Sequence, residues 1–378
     1  MKPNLSIYFH FPFCQKKCNY CDFYSTATTE KEIYDYIDAL SLELDFYREK
    51  IESSNIETIY CGGGTPSILS VEQWHYFYEK VILKLDIVRG TEFTIECNPE
   101  SFTAEKAKAW HSFGVNRLSI GVQSFDDREL EVMGRIHNSQ KAISVLDSEA
   151  LSLFKSVSAD LIFATPTQTL STLRSSLETL FSFDLLTHFS IYELTLSKNT
   201  DFYRNKNRLK FPKESIVIDM NKLITEYSEK FGFRQYEISN FAKLGYESKH
   251  NGNYWNYTDY LGLGASAHSL SFPNRYSNIL DYKRYMLLVK SGEKATTFSE
   301  VVSGESLVFE LLFLGLRTKR GIDIIAFEDM TNTKFYTDAR SETIKALISN
   351  KLLIQKNDFL LPTKKGLLFA DAIVQKLV

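Results

Sequence analysis

The feature that most constrains this chain is the alternation of short apolar runs with longer amphipathic ones through its first half. The short runs are LSIYFHF (5–11), IETIYCG (56–62), TEFTIEC (91–97), NRLSIGV (116–122), ADLIFA (159–164) and HFSIYEL (188–194). Helical periodicity fills the intervals near 30–53, 67–85, 103–113, 138–154 and 169–183. Strands alternating with helices predict parallel β/α units, because a parallel neighbour requires a long crossover. Each run is followed by something chemically distinctive: a cysteine cluster, GGGTPS, ECNP, GVQSF, ATPTQT and ELT. A barrel with its site at the C-terminal ends of its strands has that layout. The expectation is a partial (β/α)6, TIM-like barrel over 1–235.

Beyond it the pattern changes. A helix is expected near 213–231, then QYEISNFA, a loop-rich HNGNYWNY and GLGASAHS, which make 236–298 a connecting segment. From about 299 to 378 the chain reads as a small α-rich, winged-helix-like domain. Two short strands flank Lys356, Asn357 and Asp358 there, and a last helix follows. A length of 378 residues suits a barrel with an appendage.

Composition narrows the function classes. With 44% hydrophobic and 24% charged residues the chain is not disordered, and a net charge of −3 supplies no basic field for nucleic acid. Lys351, Lys356, Lys364 and Lys365 lie around the wing-like hairpin, but no basic recognition helix accompanies them, so a nucleic-acid-binding regulator is the weakest reading. The 28 Phe and 21 Tyr fill a core or line a cavity equally well. The start lacks a signal-peptide core, and LVFELLFLGL is interrupted by Glu310 and too short to span a bilayer. A cytoplasmic protein without an integral membrane segment is expected.

Three of the five cysteines, Cys14, Cys18 and Cys21, crowd into a C-x3-C-x2-C run, which is not a disulfide framework. A zinc site would need a second pair, and Cys61 and Cys97 end separate strands, where small buried residues are expected. Three thiolates can instead hold three irons of a [4Fe–4S] cluster and leave the fourth open. S-adenosylmethionine (SAM), with an amine and a carboxylate, can occupy such an iron. Phe11, Phe13, Tyr20 and Phe23 would shield the cluster from water. Zinc and redox cysteines remain the alternatives.

With GGGTP after the second strand, this run resembles the radical SAM superfamily. The resemblance extends along nearly the whole chain to the group of oxygen-independent coproporphyrinogen III oxidases and related heme chaperones. It rests on Tyr8, Gly62-Gly63-Gly64-Thr65-Pro66, Glu96-x-Asn98-Pro99, Arg117-x-Ser119-x-Gly121-x-Gln123-Ser124-Phe125, Gly134-Arg135-x-His137 and Asp160-Leu161-Ile162. It implies Cys14, Cys18 and Cys21 as cluster ligands. Tyr8, Tyr20, Gly63, Gly64, Thr65, Glu96, Gln123, Arg135 and Asp160 would contact the cofactors. The glycines would let backbone approach the ligand, and Arg135 would pair with the methionine carboxylate.

Departures separate the chain from the oxidases. They carry a fourth cysteine where Phe23 stands, and a leading segment before the cluster that is not seen here. His250-Asn251-Gly252-Asn253-Tyr254-Trp255 instead matches the HNxxYW segment of the heme chaperones. That match implies heme contacts from His250, Asn251, Tyr254 and Trp255, with His10 and His268 as rival iron ligands. It also implies a heme-accepting protein as partner, a respiratory heme protein among the candidates, and leaves a homodimer open. The function expected is heme binding and delivery; the rival is a true radical SAM oxidoreductase acting on a porphyrinogen. One segment departs again: Ala164-Thr165-Pro166 stands where the group has glycine-leucine-proline.

Overall fold

The computed structural model describes residues 2–378. Strands β1 (Asn4–Phe11), β2 (Asn55–Gly63), β3 (Glu92–Cys97), β4 (Arg117–Gln123), β5 (Ser156–Phe163) and β6 (His188–Glu193) pair in sequence order, all parallel. Helices Glu30–Asp45, Val71–Lys80, Ala104–Ser112, Ser139–Leu146 and Leu170–Leu180 fall between successive strands. The expected partial (β/α)6 barrel is therefore present.

The two-residue period of the strands sorts this sheet chemically. Phe9, Ile59, Ile95, Ile120, Ala159 and Phe189 share one apolar core with the helices' Ile37, Leu40, Phe77, Trp110 and Leu177. Each large apolar side chain so buried contributes roughly 1.5–3 kcal/mol. The alternate residues, among them Tyr60, Glu96, Ser119, Asp160 and Ser190, line a cavity on the other face. Cys61 and Cys97 belong to the apolar set, buried in the core.

Some local features were not legible beforehand. The helix Asp127–Met133 is short, capped by the Asp126 carboxylate on the amides of Arg128 and Glu129 and stopped by Gly134 at φ 75°. The 236–298 stretch supplies strands as well as connections. β7 (Arg234–Gln235), just before that stretch, and β8 (Asn240–Ala242) within it extend the β6 edge, with β8 antiparallel to β6. On the other edge β9 (Tyr260–Leu263) runs parallel to β1, and β10 (His268–Ser271), β11 (Asn274–Asn278) and β12 (Thr296–Val301) follow antiparallel. Buried Glu43 ties this extension to the first helix, accepting from the Gly264 amide at 2.7 Å, Tyr285 Oη at 2.6 Å and Asn278 Nδ2 at 2.5 Å.

The C-terminal part has its own core, including Leu312, Phe327, Phe335, Leu347, Leu360 and Val374. Helices Gly304–Gly315, Ile324–Thr331, Asp338–Ser349 and Ala370–Leu377 surround a small sheet of β13 (Ile322–Asp323), β14 (Leu353–Lys356) and β15 (Phe359–Pro362), with β15 central. The hairpin turns at Lys356–Asp358 as expected, with Asn357 in the left-handed region at φ 51°. Lys364 pairs with Glu229 of the Glu214–Lys230 helix. Among the described residues, no helix is long and apolar enough to cross a membrane.

Candidate functional site

The strand interiors and the loop after β1 enclose a cavity of about 530 Å³. Cys14, Cys18, Cys21 and Tyr20 line one end of it, and Gly63, Gly64, Thr65, Glu96, Gln123, Arg135, Asp160 and Asn251 line it further along. Twelve of the sixteen residues named from the sequence thus share one space. Tyr8, His250, Tyr254 and Trp255 stand outside its lining.

The cysteine loop folds back onto β2. The Gly64 amide donates to the Phe11 carbonyl at 2.7 Å and the Thr65 amide to the Phe13 carbonyl at 2.8 Å. A Cβ on Gly64 would stand 2.6 Å from the Phe13 carbonyl oxygen; one on Gly63, at φ 109°, would stand 2.5 Å from the His10 ring. These glycines thus permit the approach of the cysteine loop and His10, and both also line the cavity. Cys14 Sγ lies 3.3 Å from Thr65 Oγ1. Burial raises the Cys14 thiol and pushes Cys21 up to about 11. Among the described residues, no group of three or more His, Cys, Asp or Glu side chains is drawn together around a single-ion site.

Arg135 comes to this end from the loop after the Asp127–Met133 helix. Its guanidinium donates to Asn98 Oδ1 and the Gly121 carbonyl, both at 2.8 Å, and reaches Cys18 Sγ at 3.5 Å. Its Nε is buried without a hydrogen-bond partner among the described residues. A buried cationic fork with a spare donor suits a carboxylate, because leaving it unpaired costs free energy. With the three thiols beside it, this end fits a cluster and the carboxylate end of SAM.

Glu96 and Asp160 bring acidity to the middle of the cavity. Tyr60 Oη donates to Glu96 Oε1 at 2.8 Å and the Gly63 amide to Oε2 at 3.1 Å. Burial nonetheless pushes Glu96 up to about 7, with Asp160 adding repulsion. Burial raises Asp160 too, against hydroxyls from Ser190, Ser119 and Ser158. Gln123 follows a bulge in the β4–β5 pairing and stands at φ 69°, which re-aims its side chain into the cavity.

The far end is closed by a segment expected to be a loop. Lys249–Trp255 is a helix, N-capped by Ser248, and Glu92 at the start of β3 accepts from the amides of Lys249 at 3.1 Å and His250 at 2.9 Å. Asn251 reaches the cavity. The His250 ring is 1% exposed: Nδ1 meets Thr58 Oγ1 at 2.7 Å and Nε2 meets Tyr254 Oη at 2.9 Å. Trp255 is half-buried, and Tyr8 bonds through its hydroxyl to His10 Nδ1 at 3.0 Å. Sequence reasoning did not assign site roles to Tyr60, Arg117, His188 or Tyr192, all of which line the cavity. Their positions alternate with the apolar residues of β2, β4 and β6, and that alternation was the available signal.

Comparison with known proteins agrees with this architecture. The profile described as Radical SAM superfamily matches residues 8–180, and the HemN C-terminal domain matches 302–369. The heme chaperone HemW of Lactococcus lactis is 34% identical over 377 residues, covering 99% of this chain and 97% of that protein. HemW of Bacillus subtilis is 38% identical over 325 residues, 84% of each. The solved structure of Escherichia coli coproporphyrinogen III oxidase, described as a radical SAM enzyme, superposes with a TM-score of 0.84. It is 20% identical and covers 100% of this chain and 90% of that one, a likeness of fold. Near-full-length identity to these chaperones, on a radical SAM barrel with its three cysteines at the cavity end, places the chain in the heme chaperone HemW family of the radical SAM superfamily.

Proposed function

We propose that this protein binds heme and hands it to an acceptor protein, and that it carries a [4Fe–4S] cluster with SAM at the cysteine end of the cavity. The observation that carries the cofactor part is the grouping of Cys14, Cys18 and Cys21 with Arg135, whose buried Nε lacks a partner among the described residues. The cysteines would hold the cluster, Arg135 the SAM carboxylate, and Glu96, Gln123 and Asp160 the amine and ribose groups. When bound, that pair of groups supplies one-electron chemistry. The heme part rests on the HemW relatives and the HNGNYW helix. That helix is the proposed heme-contact element, with half-buried Trp255 as its flat apolar surface. His250 would have to leave Thr58 and Tyr254 before it could ligate iron.

A second reading, a radical SAM oxidoreductase, is favoured by one feature. The cavity continues past Asp160 to Arg117, His188 and Asn251, which is room for a substrate beyond SAM. One sample separates the two. Anaerobically reconstituted protein is titrated with hemin, then incubated with SAM, a strong reductant and coproporphyrinogen III. A saturable shift of the Soret band without protoporphyrinogen formation supports the chaperone. Multiple-turnover decarboxylation overturns it in favour of the enzyme.

A further inference from the structure

The HNGNYW helix and the acidic middle of the cavity are joined by one unbroken run of contacts. The His250 ring lies against the Tyr60 ring, with centroids 4.9 Å apart and planes 27° from parallel. Thr58 and Tyr254 hold the two imidazole nitrogens, fixing the ring's rotation. Tyr60, so braced, aims its hydroxyl at Glu96 Oε1, and the Gly63 amide takes the other oxygen. Thr58 and Tyr60 lie on the same side of β2, so His250 is clamped to the strand that carries the donor. An imidazole enclosed in this way is not offered to an external iron. It does determine where the Tyr60 ring can be.

We infer that Tyr60 and His250 are positioning residues for Glu96, and that through them the HNGNYW helix sets the affinity of the cavity for SAM, whose sulfonium is a permanent cation. This rests on the reading of Glu96 as a SAM-facing carboxylate. The Tyr60 hydroxyl favours the ionised form of Glu96, the form that attracts a cation. Opposing it are burial and Asp160; the other titratable groups near Glu96 are Tyr8, Cys61 and Tyr254, all buried and neutral near pH 7. Removing the hydroxyl raises Glu96 further, so affinity at neutral pH falls and returns only as the solution is made more alkaline. A purely structural role for Tyr60 would lower affinity equally at every pH.

The test is calorimetric SAM binding to the reconstituted protein from about pH 6 to about pH 9, with hemin titration of the same samples. Tyr60→Phe, which keeps the ring and loses the hydroxyl, is expected to weaken SAM about tenfold near pH 7. It should also shift the pH profile upward and leave the Soret titration unchanged. His250→Ala is expected to weaken SAM, and His250→Phe, which restores a flat ring against Tyr60, to recover most of the loss. Wild-type binding matched by Tyr60→Phe with an unshifted profile overturns the inference while leaving the SAM reading intact. So does a loss in Tyr60→Phe that is the same at every pH. Absence of SAM binding by the reconstituted wild type overturns the SAM reading itself, and the inference with it.

Discussion

Arg135 and Arg117 stand at opposite ends of one cavity and differ in company. Arg135 has the Cys18 thiol and, 3.9 Å away, the Glu100 carboxylate. Arg117 donates to the Ser156 hydroxyl and the Tyr246 carbonyl, both neutral. Arg135 is therefore the guanidinium placed beside the cysteines, whose role single substitutions test. Serine at Cys14, Cys18 or Cys21 should abolish the brown iron–sulfur absorption after anaerobic reconstitution, whereas serine at Cys61 or Cys97, buried among core apolar groups, should keep it. Loss confined to the Cys61 or Cys97 variants would remove the cluster from the β1 loop. Ala164 is the second case. It stands at φ 60°, in the left-handed region that glycine adopts without penalty, and Gln168 Oε1 accepts from its amide at 2.7 Å. An alanine thus holds a left-handed turn where the group has glycine. A left-handed L-residue costs roughly 1–2 kcal/mol, and glycine's extra unfolded-state entropy returns about half of that. Ala164→Gly should stabilise the protein by about 0.5–1 kcal/mol in denaturant unfolding, and a destabilised variant would show that the bend carries no strain.

Among the elements, the Lys249–Trp255 helix shows how far a segment's local sequence can mislead. Gly252 and three asparagines, Asn251, Asn253 and Asn256, give HNGNYWN poor intrinsic helicity, which is why it reads as a loop. The helix exists because Ser248 caps it and because Glu92, far away in sequence, accepts from its first amides. Such caps are worth about 1 kcal/mol each, enough to decide a seven-residue helix. Glu92→Ala should therefore raise amide hydrogen exchange across 249–255 while leaving β2 and β4 protected. Uniform protection in the variant would mean that packing alone holds the helix. The β1 edge makes the same point: β9 to β12 are short, and their place in the sheet comes from partners such as Glu43.

At the scale of the whole molecule, Glu237 sits where the barrel meets the C-terminal part. It bridges to Thr318, and the Lys319 amide donates to the neighbouring Tyr236 carbonyl at 3.0 Å. Glu237 is 1% exposed, its Oε1 lacks a partner among the described residues, and burial pushes it up to about 7. A carboxyl raised on folding contributes stability that is complete below its unfolded value of about 4.5 and lost as pH rises through about 7. Glu237→Gln should thus be more stable than wild type near pH 8, on the order of 2 kcal/mol, and equal to it below about pH 4.5. Paired thermal melts at the two pH values check this, and an equal shift at both would rule out ionisation as its cause. The buried histidines respond in the opposite sense: His10 is lowered to about 4 and His250 to about 3, so each loses stability as pH falls below about 6.5. By itself the sequence determined the six β/α units, the hairpin-bearing C-terminal domain and the cysteine end of the site. Hydrophobic period and thiol spacing are local properties of a chain, written in consecutive residues. Only the tertiary structure decided that Gly63 makes room for His10, that the HNGNYW segment is a helix, and that His250 braces Tyr60. Each of those depends on groups tens or hundreds of residues apart competing for one volume or one hydrogen bond, and no window of sequence contains both competitors.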